Sequence, residues 1–418
     1  MNFLSPASFL KLFFIFMMVL PASWQFERAL FLFFICSWAA INIRNIKLRY
    51  CREILIISII CLALSLFQIV VGLINNNPGA VRVSGVFFFW PLAYLLFVGL
   101  FNKIEDLKPF LNLIIFGLFG VEILTIIFIS DFLGVSSLGT LRIFEQMNPS
   151  INIGIYEGES GLFHSGLTTL NFSLPFLITK IIIDVRRNEY RKIDISIALI
   201  GVLIALLSGR RALWIILSLS PFFYIVINSY VTKKIDILFI LKVFMMGFLL
   251  FITLVYFLQL DVSLLLDRLV AGFDFGDSTN ESAFRRNEQY HALLNGWLDS
   301  PIIGSGHGAA AQDNINLAEM QWAYELSYLA LLFHVGIIGF FIYFASIIWM
   351  IIMLSYYAKE YQNYSYLVLP LLVGLVCFLI ANASNPYLLK FDYLWVIFLP
   401  LAFLNAFCLK SSILKYEI

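Results

Sequence analysis

Two adjacent arginines, Arg210 and Arg211, lie in the short segment SGRRALW (208–214) between two long apolar stretches. A guanidinium group presents a planar fork of N–H donors that matches the oxygens of phosphate or carboxylate, and it stays charged. Two such groups at a helix end are suited to hold an anion. The alternative is that they only anchor the helix end at the membrane interface.

A second arginine pair, Arg285 and Arg286, begins the segment FRRNEQYHALLNGWLDSPIIGSGHG (284–308). The spacing of apolar residues predicts a helix that begins near Ser282. Its apolar positions are Ala292, Leu293 and Trp297. The pair therefore lies in the first turn of a helix, and its guanidinium groups offer a second set of donors for an anion.

The glycine-rich end of that segment, SPIIGSGHG (300–308), terminates the predicted helix. Gly304, Gly306 and Gly308 permit unusual backbone angles and a close approach to a ligand. His307 is a candidate general base, because imidazole exchanges a proton near neutral pH. The alternative is a hydrogen-bonded loop histidine without a catalytic role. The other histidines are weaker candidates or packing residues: His164, His291 and His334.

The sequence predicts neither a metal site nor a cofactor. Asp274, Asp277 and Glu281 form a small acidic cluster, but their spacing does not guarantee enough convergent oxygen ligands. The cysteines lack metal-binding spacing and are expected to pack in apolar surroundings. They are Cys36, Cys51, Cys61, Cys377 and Cys408. The chain also has no glycine-rich phosphate loop and no nucleic-acid-binding motif.

The composition determines the class of protein. Hydrophobic residues make up 61% of the 418 residues, 43 of them phenylalanine, and only 13% are charged. A soluble domain of this length needs a largely polar exterior and has no place for so much apolar surface. The sequence therefore predicts an all-α, polytopic integral membrane bundle, with residues 1–418 forming a single membrane domain.

Twelve membrane segments are predicted from the apolar runs. They are residues 6–21, 29–43, 53–73, 83–100, 108–129, 166–183, 193–208, 212–228, 236–258, 323–354, 366–381 and 393–409. Several are shorter than the usual ~20 residues, which indicates tilt or imprecise boundaries.

The distribution of lysine and arginine predicts the orientation. With both termini in the cytoplasm, fifteen basic residues lie in inside connections and nine in outside connections, although the outside connections are longer. Cytoplasmic loops carry the excess of positive charge in most membrane proteins. Two large loops, residues 130–165 and 259–322, are then periplasmic. Eight of the nine outside positions are arginine, which suggests that this face is equipped to hold an anion.

Three segments in this order resemble the O-antigen polymerase and O-antigen ligase family of bacterial inner membranes. They are SGRRAL, the arginine-led segment that ends in GSGHG, and ELSYLALLFHVGIIG, and they fall within residues 193–354. The resemblance implies an enzyme of the inner membrane that acts on sugars carried by undecaprenyl pyrophosphate at the periplasmic face. The implied partners are a lipid-linked donor and acceptor, membrane lipid, a chain-length regulator and a flippase.

The resemblance favours a polymerase over a ligase. Ligases of the family resemble one another in a His-Asn pair eleven residues before a Gly-x-x-Gly. Here Gly336-Ile-Ile-Gly339 is present, and the pair is Glu325-Leu326. Polymerases resemble one another in arginine-to-glycine spacings in the two large loops, and this chain has Arg142 with Gly158 and Arg285 with Gly296. A ligase that transfers glycan to the lipid A core stays the alternative.

The resemblance also implies the site residues. Glu325 replaces the ligase histidine and is the candidate base or hydroxyl-orienting group, with His307 second. An ion pair with an arginine, or a place at a helix start, is the alternative for Glu325. The candidate pyrophosphate-binding residues are Arg142, Arg210, Arg211, Arg285 and Arg286.

A lipid-linked sugar flippase is the alternative from another class. Such a transporter is expected to bury ionisable residues along a path near mid-membrane. In this chain the middles of the segments carry few, and Glu122 is the clearest exception. The residues suited to chemistry concentrate in the outer loops, which favours an enzyme.

Overall fold

The structure of the protein, a computed structural model, describes residues 6–21, 25–41, 48–132, 154–155, 162–233, 281–312 and 320–416, with a few isolated positions. The α-helices in these ranges are α1 Pro6–Val19, α2 Gln25–Ile41, α3 Arg52–Ile74, α4 Ala80–Ser84, α5 Trp90–Leu100, α6 Ile104–Phe132, α7 Leu170–Arg187, α8 Lys192–Leu207, α9 Arg211–Thr232, α10 Glu281–Asp299, α11 Ser327–Glu360, α12 Ser365–Asn382 and α13 Trp395–Tyr416.

Short elements complete the described part of the chain. A π-helical turn, Gly85–Phe89, joins α4 to α5. Two-residue strands β1 (Gly154–Ile155) and β2 (Leu162–Phe163) pair antiparallel. The 3-10 turns are Ser165–Thr169, Gln362–Tyr364, Tyr387–Leu389 and Phe391–Tyr393.

Eight helical stretches of the described residues are long and apolar enough to cross a membrane. They coincide with eight of the twelve predicted segments, so the class of helical membrane protein is confirmed. Three other predicted segments fall on α1, α2 and α8, which are shorter. The predicted segment 236–258 lies almost entirely outside the described residues.

Two predicted loop boundaries need correction. α6 continues to Phe132, so residues 130–132 are helical and do not belong to the first large loop. A 3-10 turn begins at Ser165, the predicted last residue of that loop. The apolar pattern of each membrane segment continues into the adjoining turn. The sequence alone therefore locates the helix ends only to within a few residues. Most of the loop, including Arg142, lies outside the described residues.

Successive connections lie at opposite ends of the bundle. At the end that holds Arg210, the backbone N–H of Gly79 donates to the carbonyl of Gly308 at 3.0 Å. At the other end, which holds Arg187, the N–H of Arg49 donates to the carbonyl of Gly99 at 3.2 Å. These are called the Arg210 end and the Arg187 end below. The charge distribution predicts that the Arg210 end faces the periplasm.

This orientation predicts the result of cysteine labelling. Tyr290 on α10 and Tyr190 beside α8 are 45% and 49% exposed, and they lie toward opposite ends of the bundle. In a background without the native cysteines, we expect Tyr290→Cys in intact spheroplasts to react with a membrane-impermeant maleimide. Tyr190→Cys should react only after the membrane is opened. Reaction of Tyr190→Cys in intact spheroplasts contradicts the orientation.

The centre of the bundle is α7, which packs against α8, α9 and most extensively α12. Buried polar side chains of α7 include Asn171, Ser173 and Thr179. Lipid tails solvate apolar side chains as well as protein does, so the more polar helix gains most from an interior position. This placement positions the turn Ser165–Thr169, which precedes α7, at the Arg210 end.

The membrane helix α11 is broken at Gly336, whose φ of 63° and ψ of −176° are not helical. The segment 300–308 fills the break. The N–H groups of Ser305 and Gly306 donate to the carbonyls of Phe333 and His334 at 3.0 and 2.9 Å. On the other side, the N–H of Ile337 donates to the carbonyl of Pro301 at 2.9 Å. A non-helical backbone at membrane depth is tolerated only where protein satisfies it in this way.

The break makes Gly336 intolerant of a side chain. A Cβ at this position would meet the carbonyl oxygen of Ile302 at 2.3 Å, and the positive φ is strained for other residues. We expect Gly336→Ala to lower the free energy of unfolding by about 2 to 3 kcal/mol, measured by denaturation in detergent. Gly85→Ala is the control, because its Cβ would meet nothing within 4 Å. Equal stability of the two variants contradicts the prediction.

Candidate functional site

Arg210 is positioned by a tight reversal between α8 and α9. Gly209, at φ 65°, turns the chain after α8, and Arg210 is the N-cap of α9 with extended backbone. The indole N–H of Trp214 donates to the carbonyl of Ala205 at 2.9 Å and ties the two helices together. The first N–H groups of α9 have no partner within the helix, so its positive end lies beside the Arg210 side chain.

The guanidinium of Arg210 bridges two neutral acceptors on the turn before α7. One nitrogen donates to the hydroxyl oxygen of Thr168 at 3.2 Å, and another to the carbonyl of His164 at 3.3 Å. Neither contact neutralises the charge. Arg210 is only partly buried, so the fork is fixed in direction while part of it remains accessible.

A second cation, Lys390, lies near Arg210. Lys390 is exposed at the surface. Desolvation by the surrounding groups, and then the charge of Arg210, lower the pKa of the Lys390 ammonium. Among the described residues, neither cation forms an ion pair with a carboxylate; the neighbouring Asp392 is paired with the buried Arg28. Two uncompensated positive charges make a site for an anion.

His164 is part of the scaffold for this site. Its Nδ1 accepts from the N–H of Gly166 at 3.1 Å, so its Nε2 carries the proton and donates to the hydroxyl of Thr125 at 2.8 Å. Burial, and then the charge of Arg210, lower the pKa of His164 to about 3. A neutral imidazole with both nitrogens bonded agrees with the low weight that the sequence gave to His164.

The other arginines singled out in the sequence have different surroundings. Arg211 is the first residue of α9, is partly buried and has interactions of its own. Arg285 is exposed and also has a partner. Arg286 lies one residue further along α10 and is partly buried. The predicted helix that carries this second pair is confirmed as α10, with Leu293 buried.

Two side chains of α10 hold Glu325, one through its carboxylate and one through its backbone N–H. The Nε of Arg286 donates to Oε2 of Glu325 at 2.8 Å. The side-chain oxygen of Gln289, one turn along α10, accepts from the backbone N–H of Glu325 at 2.9 Å. The arginine partner considered in the sequence is therefore present. The Glu325 side chain is still 31% exposed, so its carboxylate can also accept a hydrogen bond from a bound hydroxyl.

His307 is enclosed by protein on all sides. Its ring is fully buried and stacks on Phe87 with centroids 4.1 Å apart. Neither ring nitrogen has a hydrogen-bond partner among the described residues. Burial, and then His334, lower the pKa of His307 well below its usual range, so the ring is neutral. This surrounding suits packing better than proton transfer to a sugar; a catalytic role stays a prediction.

The glycines around His307 approach protein backbone, whereas the sequence favoured approach to a ligand. A Cβ at Gly304 would meet the nitrogen of Gly336 at 2.3 Å. A Cβ at Gly306 would meet the nitrogen of Gly72 at 2.5 Å. All three glycines adopt a positive φ, one of the unusual backbone angles that glycine permits, and the reason is the packing of segment 300–308 into the broken helix and onto α3.

An apolar cavity of about 230 Å³ runs between α3, α5, α11 and α13. Ser327 and Leu389 line it at the Arg210 end, and Ile54 and Met350 line it toward the Arg187 end. At a rise of about 1.5 Å per residue, Ser327 to Met350 covers a length similar to the ~30 Å hydrocarbon core of a bilayer. The cavity, called the long groove below, therefore has the length and polarity that suit a lipid chain.

Two polar groups lie near the Arg210 end of the long groove, which is called its mouth below. They are Glu325 with Arg286, and Lys390 with Arg210. The segment between α12 and α13 connects them. The hydroxyl of Ser327, two residues after Glu325, donates to the carbonyl of Asn385 at 2.9 Å. Five residues further on comes Lys390, which interacts with Arg210. Glu325, with its partner Arg286, comes two residues before Ser327, and Lys390 follows Leu389, so both polar groups lie beside the lining of the groove at its Arg210 end.

The sequence did not single out Lys390 or Asn385. Lys390 was one of nine basic residues in the outer connections and belongs to no motif. In the sequence it differs from the other eight only in being a lysine, whereas they are arginines. Lys390 is a candidate only because the fold brings its charge near that of Arg210, a residue 180 positions away in the chain.

No metal cluster is evident in the part of the chain that the structure describes: it holds no group of three or more His, Cys, Asp or Glu side chains placed to bind one. Asp274 and Asp277 lie outside that part, so the acidic cluster is not described. Comparisons with protein-family models, with curated proteins and with solved structures find no match for this chain.

Proposed function

We propose that this protein is a membrane glycosyltransferase that polymerises oligosaccharide repeat units carried by undecaprenyl pyrophosphate at the periplasmic face of the bacterial inner membrane. The observation that carries the proposal is the pair Arg210 and Lys390, which has no carboxylate partner among the described residues and lies near the Arg210 end of the long groove, where Leu389 lines it. Undecaprenyl pyrophosphate likewise has a charged group at the end of a long apolar chain. Its pyrophosphate would meet the two cations, and its apolar chain would lie in the groove.

The reaction is a substitution at the anomeric carbon of the growing glycan. A hydroxyl oxygen of the incoming unit forms a bond to that carbon, and the bond from the carbon to the pyrophosphate oxygen breaks. The bonding electrons leave with the lipid pyrophosphate, and the hydroxyl proton passes to a base. Attack from the face opposite the leaving group inverts the configuration.

Arg210 and Lys390 would stabilise the leaving group. Negative charge grows on the pyrophosphate oxygen as the bond breaks, and donors fixed beforehand stabilise that charge more than the ground state. Thr168 and the carbonyl of His164 hold the Arg210 fork in place, so little reorganisation is needed. The N-terminus of α9 adds its positive end.

Glu325 would accept the proton of the attacking hydroxyl. Its carboxylate is accessible, it is fixed by Arg286 and Gln289, and it comes two residues before Ser327, which lines the long groove. A base and an anion clamp near the same end of one groove are the two groups that such a substitution needs. The carboxylate oxygen that does not bind Arg286 is the one for the hydroxyl.

Transport is the second candidate, because one observation favours it. α11 is a broken membrane helix, and Glu122 is buried with both carboxylate oxygens unpaired among the described residues. Broken helices line the substrate paths of many transporters. Here, however, segment 300–308 fills the break through backbone hydrogen bonds, and His307 closes it further.

Turnover by the purified protein tests the proposal. With lipid-linked repeat units in detergent, we expect a ladder of longer glycans and release of lipid pyrophosphate. Transfer only to added lipid A core indicates a ligase, and movement of intact units across vesicle membranes without lengthening indicates a transporter. In the host, loss of a polymerase leaves single repeat units on the core, whereas loss of a ligase leaves none.

A further inference from the structure

A second cavity lies at the Arg187 end, on the opposite side of the bundle from the proposed active site. Its volume is about 450 Å³, and it lies between α7, α9 and the turn that precedes α12. Two arginines at the end of α7, Arg186 and Arg187, line it. The glycosyl-transfer mechanism does not use these residues.

Aromatic rings orient both arginines of this cavity. The guanidinium of Arg187 lies 4.4 Å from the ring centroid of Tyr366, and that of Arg186 lies 5.9 Å from that of Tyr224. Stacking over a ring fixes the plane of a guanidinium while its edge N–H groups remain able to bind oxygens. Arg187 also contacts Glu189 at 3.1 Å, but both side chains are largely exposed, and such pairs contribute little.

Neutral donors surround the arginines. The amide side chains of Asn228, Gln362 and Asn363 line the same cavity. Ser365, the first residue of α12, also lines it, so the positive end of that helix lies beside the cavity. Two cations, three amides and a helix N-terminus together favour an anion with several oxygens.

Part of the wall is apolar. Ile183 on α7 and Leu369 on α12 line the cavity beside the polar groups. A free phosphate ion gains nothing from apolar walls, whereas the glycerol and first acyl carbons of a lipid do. The cavity also lies at the ends of membrane helices, where lipid headgroups are expected. This combination distinguishes a lipid phosphate from a soluble anion.

We propose that this cavity binds the phosphate headgroup of an anionic glycerophospholipid, in the leaflet that the charge distribution predicts to be cytoplasmic. Arg186 and Arg187 bind the phosphate oxygens, and the amides bind the remaining oxygens of the headgroup. The site is independent of the glycosyl-transfer reaction. It connects α7, α9 and α12, the helices at the centre of the bundle.

Native mass spectrometry and thermal unfolding of the full chain in detergent test this inference. We expect phosphatidylglycerol to stay bound and to raise the Tm, and phosphatidylcholine to do neither. Asn363→Asp, which keeps the shape but adds a negative charge, should weaken phosphatidylglycerol binding about tenfold, as should Arg187→Gln. Glu189→Gln should strengthen binding, because it removes a carboxylate that competes for Arg187. Lys192→Gln, an exposed change outside the cavity, is the matched control and should bind as the native chain does.

Three outcomes overturn the inference. The first is equal retention of phosphatidylglycerol by Asn363→Asp and by the native chain, when the lipid-free Tm of the variant shows that it is folded. The second is an equal rise in Tm with inorganic phosphate, which indicates a site for a soluble anion. The third is an equal rise with phosphatidylcholine, which indicates general solvation by lipid.

Discussion

Arg210→Lys keeps the charge at the mouth of the long groove, and yet we expect it to slow glycan lengthening by about 10² to 10³, the range found when one preorganised donor is removed. The Arg210 fork reaches Thr168 and the carbonyl of His164 at the same time, and its direction follows from both contacts. A lysine ammonium is a single point on a flexible stem and cannot keep both contacts while it holds a phosphate oxygen. The measurement is the initial rate of purified variants with lipid-linked repeat units.

The control for Arg210→Lys is the same chemical change at the opposite end of the bundle from the proposed anion site. Arg191 pairs with Asp194 at 2.7 Å at the Arg187 end, so Arg191→Lys should leave the rate within about twofold. Stability in detergent is measured for both variants. If Arg210→Ala and Arg211→Ala each form long chains at the native rate, the pyrophosphate clamp is wrong. If only Arg211→Ala is silent, Arg210 belongs to the clamp and Arg211 does not.

Glu325→Gln should slow polymerisation by about 10² to 10⁴, which is the usual contribution of a general base. Glutamine has nearly the same shape, and its oxygen can still accept from the Arg286 Nε. The backbone bond from Glu325 to Gln289 does not involve the carboxylate. The variant should therefore fold and bind lipid-linked substrate as the native chain does, and only the proton acceptor is lost.

Arg286→Gln separates the base from its positioning. Because Arg286 contacts Glu325 and no reacting atom is required to touch it, its loss should reduce the rate by less than the loss of the carboxylate. Glu325→Asp should keep some activity, since the carboxylate is still present at a shorter reach. Full-length polymer at the native rate from Glu325→Gln means that the ion pair with Arg286 is purely structural. The proposed lipid site at the Arg187 end is unaffected by that outcome.

The sequence by itself determined the elements of this protein. Apolar runs near 20 residues long must form helices, because a bilayer offers no partner for unpaired backbone groups, and this argument needs no tertiary information. Local spacing likewise predicted α10, and the glycines at 304, 306 and 308 permit unusual backbone angles, of which each adopts a positive φ. The spacing of the family motif singled out Gly336 and Glu325. It did not predict the break in α11 at Gly336 or the ion pair between Glu325 and Arg286.

Tertiary structure decided which residues meet. Lys390 acquires a neighbour in Arg210, and Glu325 acquires one in Arg286, across 180 and 39 residues of chain. The ring of His307 is buried because segment 300–308 packs into the break in α11. No local sequence pattern predicts that break. In a membrane, apolar faces look alike to lipid and to protein, so the hydrophobic pattern fixes the helices and leaves their partners open. Those partners are chosen by close backbone approach at glycines and by polar contacts between helices, which exist only once the bundle is assembled.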